Sequence, residues 1–131
     1  GVAAVVFAGN SVDPYNDKSV RATVGSLFHL PLVIEPDTAG VLATLRGAGH
    51  VVLAADGGGE AGLFDAGTSA WLRGPVTWLL GNEAWGLPPE VAALADHRVR
   101  IPIVGGAESL NLSTAAAVCL FEGLRVREAL A

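Results

Sequence analysis

Ser109, Asn111 and Ser113 follow the Gly105-Gly106 loop and open a long apolar helix, so hydroxyl and amide groups gather where a helix leaves backbone N–H groups without partners. Such a join holds an anion or orients a hydroxyl. A second loop, GNEAWG at 81 to 86, brings Glu83, a carboxylate able to fix an arginine or accept from a hydroxyl. A third, AADGGGEAG at 54 to 62, is rich in glycine, which allows close backbone approach to a ligand and positive φ. Each feature alone has a plainer explanation. Ser109, Asn111 or Ser113 can simply cap the helix, Glu83 can be a solvated carboxylate, and one glycine can serve a turn. Three such loops, each after an apolar run, favour a ligand site.

Other chemistries find little support. His29, His50 and His97 are scattered, without the spacing or neighbours of a metal site. Ser11, Ser26 and Ser69 lack a nucleophile elbow, and Cys119 lies inside an apolar helix, where it reads as a buried small hydrophobe. No Gly-rich loop ending in Gly-Lys-Ser/Thr is present to cradle a nucleoside triphosphate. Trp71 and Trp78 read as packing residues, whereas Trp85, between two glycines, is a candidate for base stacking or for a contact between subunits.

The elements that must position these loops are short. Val2 to Phe7, Leu32 to Ile34, Val51 to Ala55, Val76 to Leu80 and Val99 to Val104 are apolar on both faces, as buried parallel strands are. Asp17 is expected to cap a helix over Lys18 to Leu27, and Asp37 one over Thr38 to Ala48 that stops at Gly47 and Gly49. Pro88 and Pro89 suit the first turn of a short helix through Leu94. The last helix, Leu112 to about Glu128, aligns Leu112, Ala115, Ala116, Cys119, Leu120 and Leu124 on one stripe. Strands alternating with helices predict an α/β domain with a mostly parallel sheet of about five strands flanked by helices. Ligands in such sheets bind beyond the carboxyl ends of the strands, where the three loops emerge.

With 131 residues, 51% of them hydrophobic, the chain suits one domain with one core. No apolar run approaches the roughly 20 residues needed to cross a bilayer, and no secretory signal is visible. A single cysteine excludes an internal disulfide and points to a reducing, cytoplasmic setting. The net charge of −5 argues against a module that grips nucleic acid phosphates unaided. Lys18 with Arg21, and Arg98 with Arg100, read most simply as solvated charges at element ends.

Three segments together resemble the SpoU/TrmH family of S-adenosylmethionine-dependent RNA ribose 2′-O-methyltransferases. They are SVDPYNDKSVRATVGSLFHLPLV at 11 to 33, WLLGNEAWGLPPEV at 78 to 91 and IPIVGGAESLNLSTAAAVCLFE at 101 to 122. The resemblance covers nearly the whole chain. It implies an α/β knot, with the carboxyl-terminal segment threaded through a loop as a trefoil, a topology periodicity does not reveal. It also implies S-adenosyl-L-methionine as cofactor, held by Ala54, Leu80, Gly81, Ile101, Ser109 and Leu110. Glu83, Ser109 and Asn111 match the active-site positions. RNA is the implied partner, the implied assembly is a homodimer, and no metal or membrane is required.

One departure qualifies the resemblance. The family's Asn-x-Gly-x-x-x-Arg motif, whose arginine is held to activate the 2′-hydroxyl, belongs before Val2. Asn16 and Arg21 are spaced by five rather than six and lie in the later segment, so Arg21 is expected to contact RNA rather than to act as the base. The chain therefore reads as the carboxyl-terminal, catalytic portion of a larger enzyme, inactive alone, whose RNA-binding domain lies upstream. Two alternatives remain: a non-catalytic nucleotide-binding or dimerisation module of the same fold, and an ordinary doubly wound nucleotide-binding domain, which the absence of G-x-G-x-x-G after the first strand disfavours.

Overall fold

Runs apolar on both faces bury as parallel strands, and every strand pairing in this protein is parallel. A computed structural model describes residues 1–131, which divide into two units, Gly1–Ala43 and Thr44–Ala131.

In the first unit, β1 (Val5–Ala8) pairs with β2 (Leu32–Glu35), Val5 opposite Leu32. Helix α1 covers only Asp17–Ala22, and its cap is Asn16, whose Oδ1 accepts from the Ser19 N–H at 2.9 Å, not Asp17. The expected helix to Leu27 breaks because Val24 takes φ of +48° and Gly25 +85°, left-handed conformations that end a right-handed helix. A single 3-10 turn, Ser26–His29, follows. Asp37 does cap α2 (Thr38–Gly47), accepting from the Gly40 N–H at 3.0 Å. The expected strand at Val2 starts three residues later, at Val5.

The second unit is a four-stranded sheet in the order β4-β6-β3-β5: β4 (Ala61–Gly62), β6 (His97–Arg100), β3 (Val51–Ala55) and β5 (Val76–Leu79). Six strands in two sheets thus replace the expected five in one. β4 escaped the sequence because two small residues make no apolar run. β6 begins two residues before Val99 and ends at Arg100, since Pro102 has no N–H for a ladder and Val104 lies 93% exposed. Helix α3 (Ala66–Leu72) precedes β5, and α4 (Pro89–Ala92), with Pro89 in its first turn, precedes β6.

Leu53, Leu63, Leu72, Val99, Cys119 and Val126 form the core between the sheet and helices α3 and α5 (Leu112–Glu128). Burial raises the Cys119 thiol pKa to about 11, so it is an inert hydrophobe at neutral pH. The α5 stripe is rotated from expectation. Cys119, Glu122, Gly123 and Val126 are buried, while Leu120 and Leu124 are 39% and 38% exposed. Apolar residues surround this helix, so the pattern did not single out one face. Glu122 tolerates burial because Arg125, one turn on, donates to both carboxylate oxygens at 2.8 and 2.7 Å.

Candidate functional site

β5, β3 and β6 are neighbours, so their carboxyl ends deliver all three loops to one edge of the sheet. Ala54 pairs with Leu79 on one side and Arg98 on the other. Leu80 and Ile101, the residues that leave β5 and β6, therefore flank the end of β3, two strand spacings or roughly 10 Å apart. Ala54 is fully buried within the sheet, so the atoms of its loop that meet solvent begin at Ala55. Leu80 is 38% exposed and Ile101 half-buried against the core.

The loop after β5 is a closed structure. The backbones of Asn82 and Gly86 pair at 3.2 and 3.0 Å, and Asn82 Oδ1 accepts from the Ala84 and Trp85 N–H groups at 3.0 and 2.7 Å. Gly86 needs its positive φ of +66°, and a Cβ on Gly81 would overlap the backbone of Gly86 and Leu87. Held this way, the loop presents Glu83 and Trp85 outward, Trp85 at 86% exposure. Trp71 instead stacks on His97 with ring centroids 3.7 Å apart, and Trp78 packs on the core, so both are packing residues.

At the start of α5, Asn111 is the cap: its Oδ1 accepts from the N–H groups of Ser113 at 3.0 Å and Thr114 at 3.3 Å, and from the Ser113 hydroxyl. Capping leaves the other end of the amide free to reach across, and Asn111 Nδ2 donates to Glu83 Oε1 at 3.4 Å. This contact joins the second and third loops. Ser109 and Leu110 precede it, Ser109 exposed and Leu110 37% exposed. Arg21 is exposed on α1, in the Gly1–Ala43 unit.

Sequence reasoning gave Arg98 and Arg100 no function, and the structure uses both on the first loop. Arg98 Nε lies 3.2 Å from Glu60 Oε2, and its Nη1 lies 3.6 Å from Asp56 Oδ2. Arg100 Nη1 donates to the carbonyls of Gly59 at 2.9 Å and Glu60 at 3.0 Å. A Cβ on Gly59 would come within 2.7 Å of the Arg98 carbonyl oxygen, so only glycine lets the loop lie this close. Bonds from the backbone N–H groups of Glu60 and Arg98, with the Arg98 charge behind them, outweigh burial and hold the Glu60 carboxyl below its usual pKa. The signal was the alternation of two arginines on a strand, which aims both at one side. Asp56 and Arg98 also border a cavity of about 280 Å³ walled by Leu87, Pro89, Ala92 and Ala93.

A model of the SpoU rRNA Methylase family matches residues 1–121. Over 132 aligned residues the chain is 37% identical to the 23S rRNA (uridine(2479)-2′-O)-methyltransferase of Streptomyces viridochromogenes, covering 97% of this chain and 45% of that protein. It is 35% identical to the 23S rRNA (guanosine-2′-O-)-methyltransferase RlmB of Xanthomonas axonopodis pv. citri, covering 97% and 49%. The structure is similar to the SpoU methyltransferase AviRb of Streptomyces viridochromogenes in complex with AdoMet, with a TM-score of 0.87, 36% identity, and coverage of 98% of this chain and 51% of that one. The chain thus spans about half the length of the curated relatives it matches.

Proposed function

This chain belongs to the SpoU rRNA Methylase family, and from that membership we propose that it is the catalytic portion of an S-adenosylmethionine-dependent RNA ribose 2′-O-methyltransferase. The observation that carries the reading is the Asn111–Glu83 hydrogen bond, which fixes a donor and an acceptor side by side beyond the ends of β3, β5 and β6. The relatives are named as 23S rRNA 2′-O-methyltransferases, and AviRb binds AdoMet. The residues present fit such a cofactor. Leu80 and Leu110 keep 38% and 37% of their surface open, and with Ile101 they offer apolar area to a purine and ribose. Gly81 and Ser109 lie beside them in sequence, and Ala54 backs the site from within the sheet.

Bound there, the sulfonium of the cofactor supplies an electrophilic methyl group. The chain's own residues orient the nucleophile. The α5 amides occupy Asn111 Oδ1, so its NH₂ faces outward and can donate to a ribose oxygen. Glu83 accepts from a hydroxyl, and Ser109 stands at the same helix entrance. Transfer would form the O–CH3 bond as the sulfonium S–CH3 bond breaks, leaving S-adenosylhomocysteine, and would release the 2′-hydroxyl proton; the family resemblance assigns removal of that proton to an arginine of an upstream motif, with Glu83 and Asn111 holding the ribose for in-line attack. We further infer a carboxyl-terminal trefoil knot, a homodimer, RNA contact through Arg21, a cytoplasmic location and an upstream RNA-binding domain in the complete enzyme. Supporting these are the family membership, the net charge of −5 and the 45% coverage of the viridochromogenes relative. No helix is long and apolar enough to cross a membrane.

Calorimetry with S-adenosylhomocysteine should show one site per chain. Tritiated methyl transfer by the complete protein should render one ribose resistant to alkaline cleavage. Cofactor binding without transfer to any rRNA or tRNA would favour the non-catalytic module, and a folded protein that binds no cofactor would end the methyltransferase reading.

A further inference from the structure

Trp85 is the one tryptophan that the fold does not use. Trp71 stacks on His97 and Trp78 packs on the core, whereas Trp85 is 86% exposed, which leaves its ring faces open to solvent. Tryptophan is seldom left so open. The loop that carries it is closed: Asn82 Oδ1 accepts from the Trp85 N–H at 2.7 Å, and the backbones of Asn82 and Gly86 pair around the turn. The backbone beneath the indole is therefore fixed.

An open indole suits either an apolar patch on a second copy of this chain or a flat aromatic ligand, and its surroundings decide between them. Asn82, Glu83, Ala84 and Gly86, which share the loop, are polar, charged or too small to extend an apolar patch, and all are exposed. Anchors of protein interfaces sit instead in well-packed clusters. A lone ring suits a nucleobase, since every base has a π face to stack on it. Placement agrees, because Glu83, set against the ribose hydroxyl in the reading above, lies two residues before Trp85, a span of at most about 7 Å between Cα atoms. That is the scale of one nucleotide, from 2′-oxygen to base. Charge agrees too: the net charge is −5, and Arg46, Arg98 and Arg125 are already paired with carboxylates, so few cations are left for phosphates. Stacking needs none. We infer that Trp85 stacks on the base of the nucleotide that is methylated, a substrate contact on the same loop as Glu83. This rests on the methyltransferase reading above and adds to it the residue that holds the base.

The test is tritiated methyl transfer by the complete protein to total rRNA and tRNA. Trp85→Ala should raise the RNA KM about tenfold, the order of one lost base stack, with kcat and S-adenosylhomocysteine affinity changing less than about threefold. Trp85→Phe, which keeps an aromatic face, should recover most of the loss, and Trp85→Leu, which keeps apolar area without one, should not. Thermal melts of all three variants should match the parent's, and a lowered melt would assign the loss to packing and overturn the stacking. An unchanged RNA KM in Trp85→Ala, or Trp85→Leu equal to Trp85→Phe, overturns it while leaving the methyltransferase reading intact. Dissociation of a dimer by Trp85→Ala, seen in light scattering, assigns the indole to a subunit contact and overturns it as well. A folded, complete parent protein that transfers no methyl to RNA overturns both together.

Discussion

At the scale of single residues, the glycines in these loops are not equivalent. At Gly81 an added Cβ would meet the backbone of Gly86 and Leu87, which the Asn82–Gly86 pairing prevents from retreating. At Gly67, on α3, a Cβ would meet nothing within 4 Å, and φ is ordinary. Gly81→Ala is therefore expected to cost about 2 kcal/mol, as overpacking does, and to weaken cofactor binding by distorting the Glu83 loop. Gly67→Ala should instead stabilise the protein by about 0.5–1 kcal/mol through helix propensity. Thermal melts of the two variants measure both, and a Gly81→Ala melt equal to the parent's would show that the loop is not closed as described. GNEAWG displays both glycines, but the sequence does not say which one the backbone contact excludes from substitution, because that contact exists only once the loop has closed on itself.

At the scale of elements, the amino end of α5 does two jobs with one side chain. Asn111 Oδ1 caps the helix and Nδ2 reaches Glu83, so substitutions separate the functions. Asn111→Ala loses both and should cost about 1 kcal/mol of stability, a normal cap loss. Asn111→Asp keeps the cap acceptor and gains favourable charge at a helix amino terminus, so stability should hold or rise. It also sets a second carboxylate against Glu83, so methyl transfer by the complete enzyme should fall in both variants. Stability that tracks activity through the pair would refute the division of labour. The cap was legible from Asn-Leu-Ser-Thr before an apolar run, and so was the strand-loop-helix order around it. The buried face of α5 was not, because Leu120, Phe121 and Leu124 look as apolar as Cys119 and Val126, and only tertiary packing selects among them. Likewise, the Val24-Gly25 break in the first unit arises from left-handed backbone at a β-branched residue, which local propensity disfavours.

At the scale of the whole molecule, a few polar clamps hold together elements distant in sequence, and Asp96 is the most connected of them. Its carboxylate accepts from the Val52 N–H at 2.7 Å on β3 and from Arg46 Nε at 2.9 Å at the end of α2, while its own N–H donates to the Val52 carbonyl at 2.8 Å. Arg46 also donates to the Leu94 carbonyl just after α4. Partial burial opposes the charged carboxylate, but the Val52 N–H, the Arg46 hydrogen bond and the charges of Arg46 and His97 outweigh it, so the Asp96 pKa falls below the ordinary value. A carboxyl with a lowered folded-state pKa adds stability once pH exceeds its unfolded value of about 3.9, and that stability is lost as pH falls through the folded value. With both partners about one-third exposed, screening limits the contribution to about 1 kcal/mol. Urea unfolding at pH 7 should thus find Asp96→Asn less stable than the parent by about 1 kcal/mol, and the gap should close as pH drops below about 3.9, where both side chains are neutral in the unfolded chain and the parent loses its charge in the folded one. A gap unchanged between pH 7 and pH 3 would assign the loss to packing rather than to the ionised carboxylate, and the clamp joining β3, α2 and α4 would then owe nothing to charge.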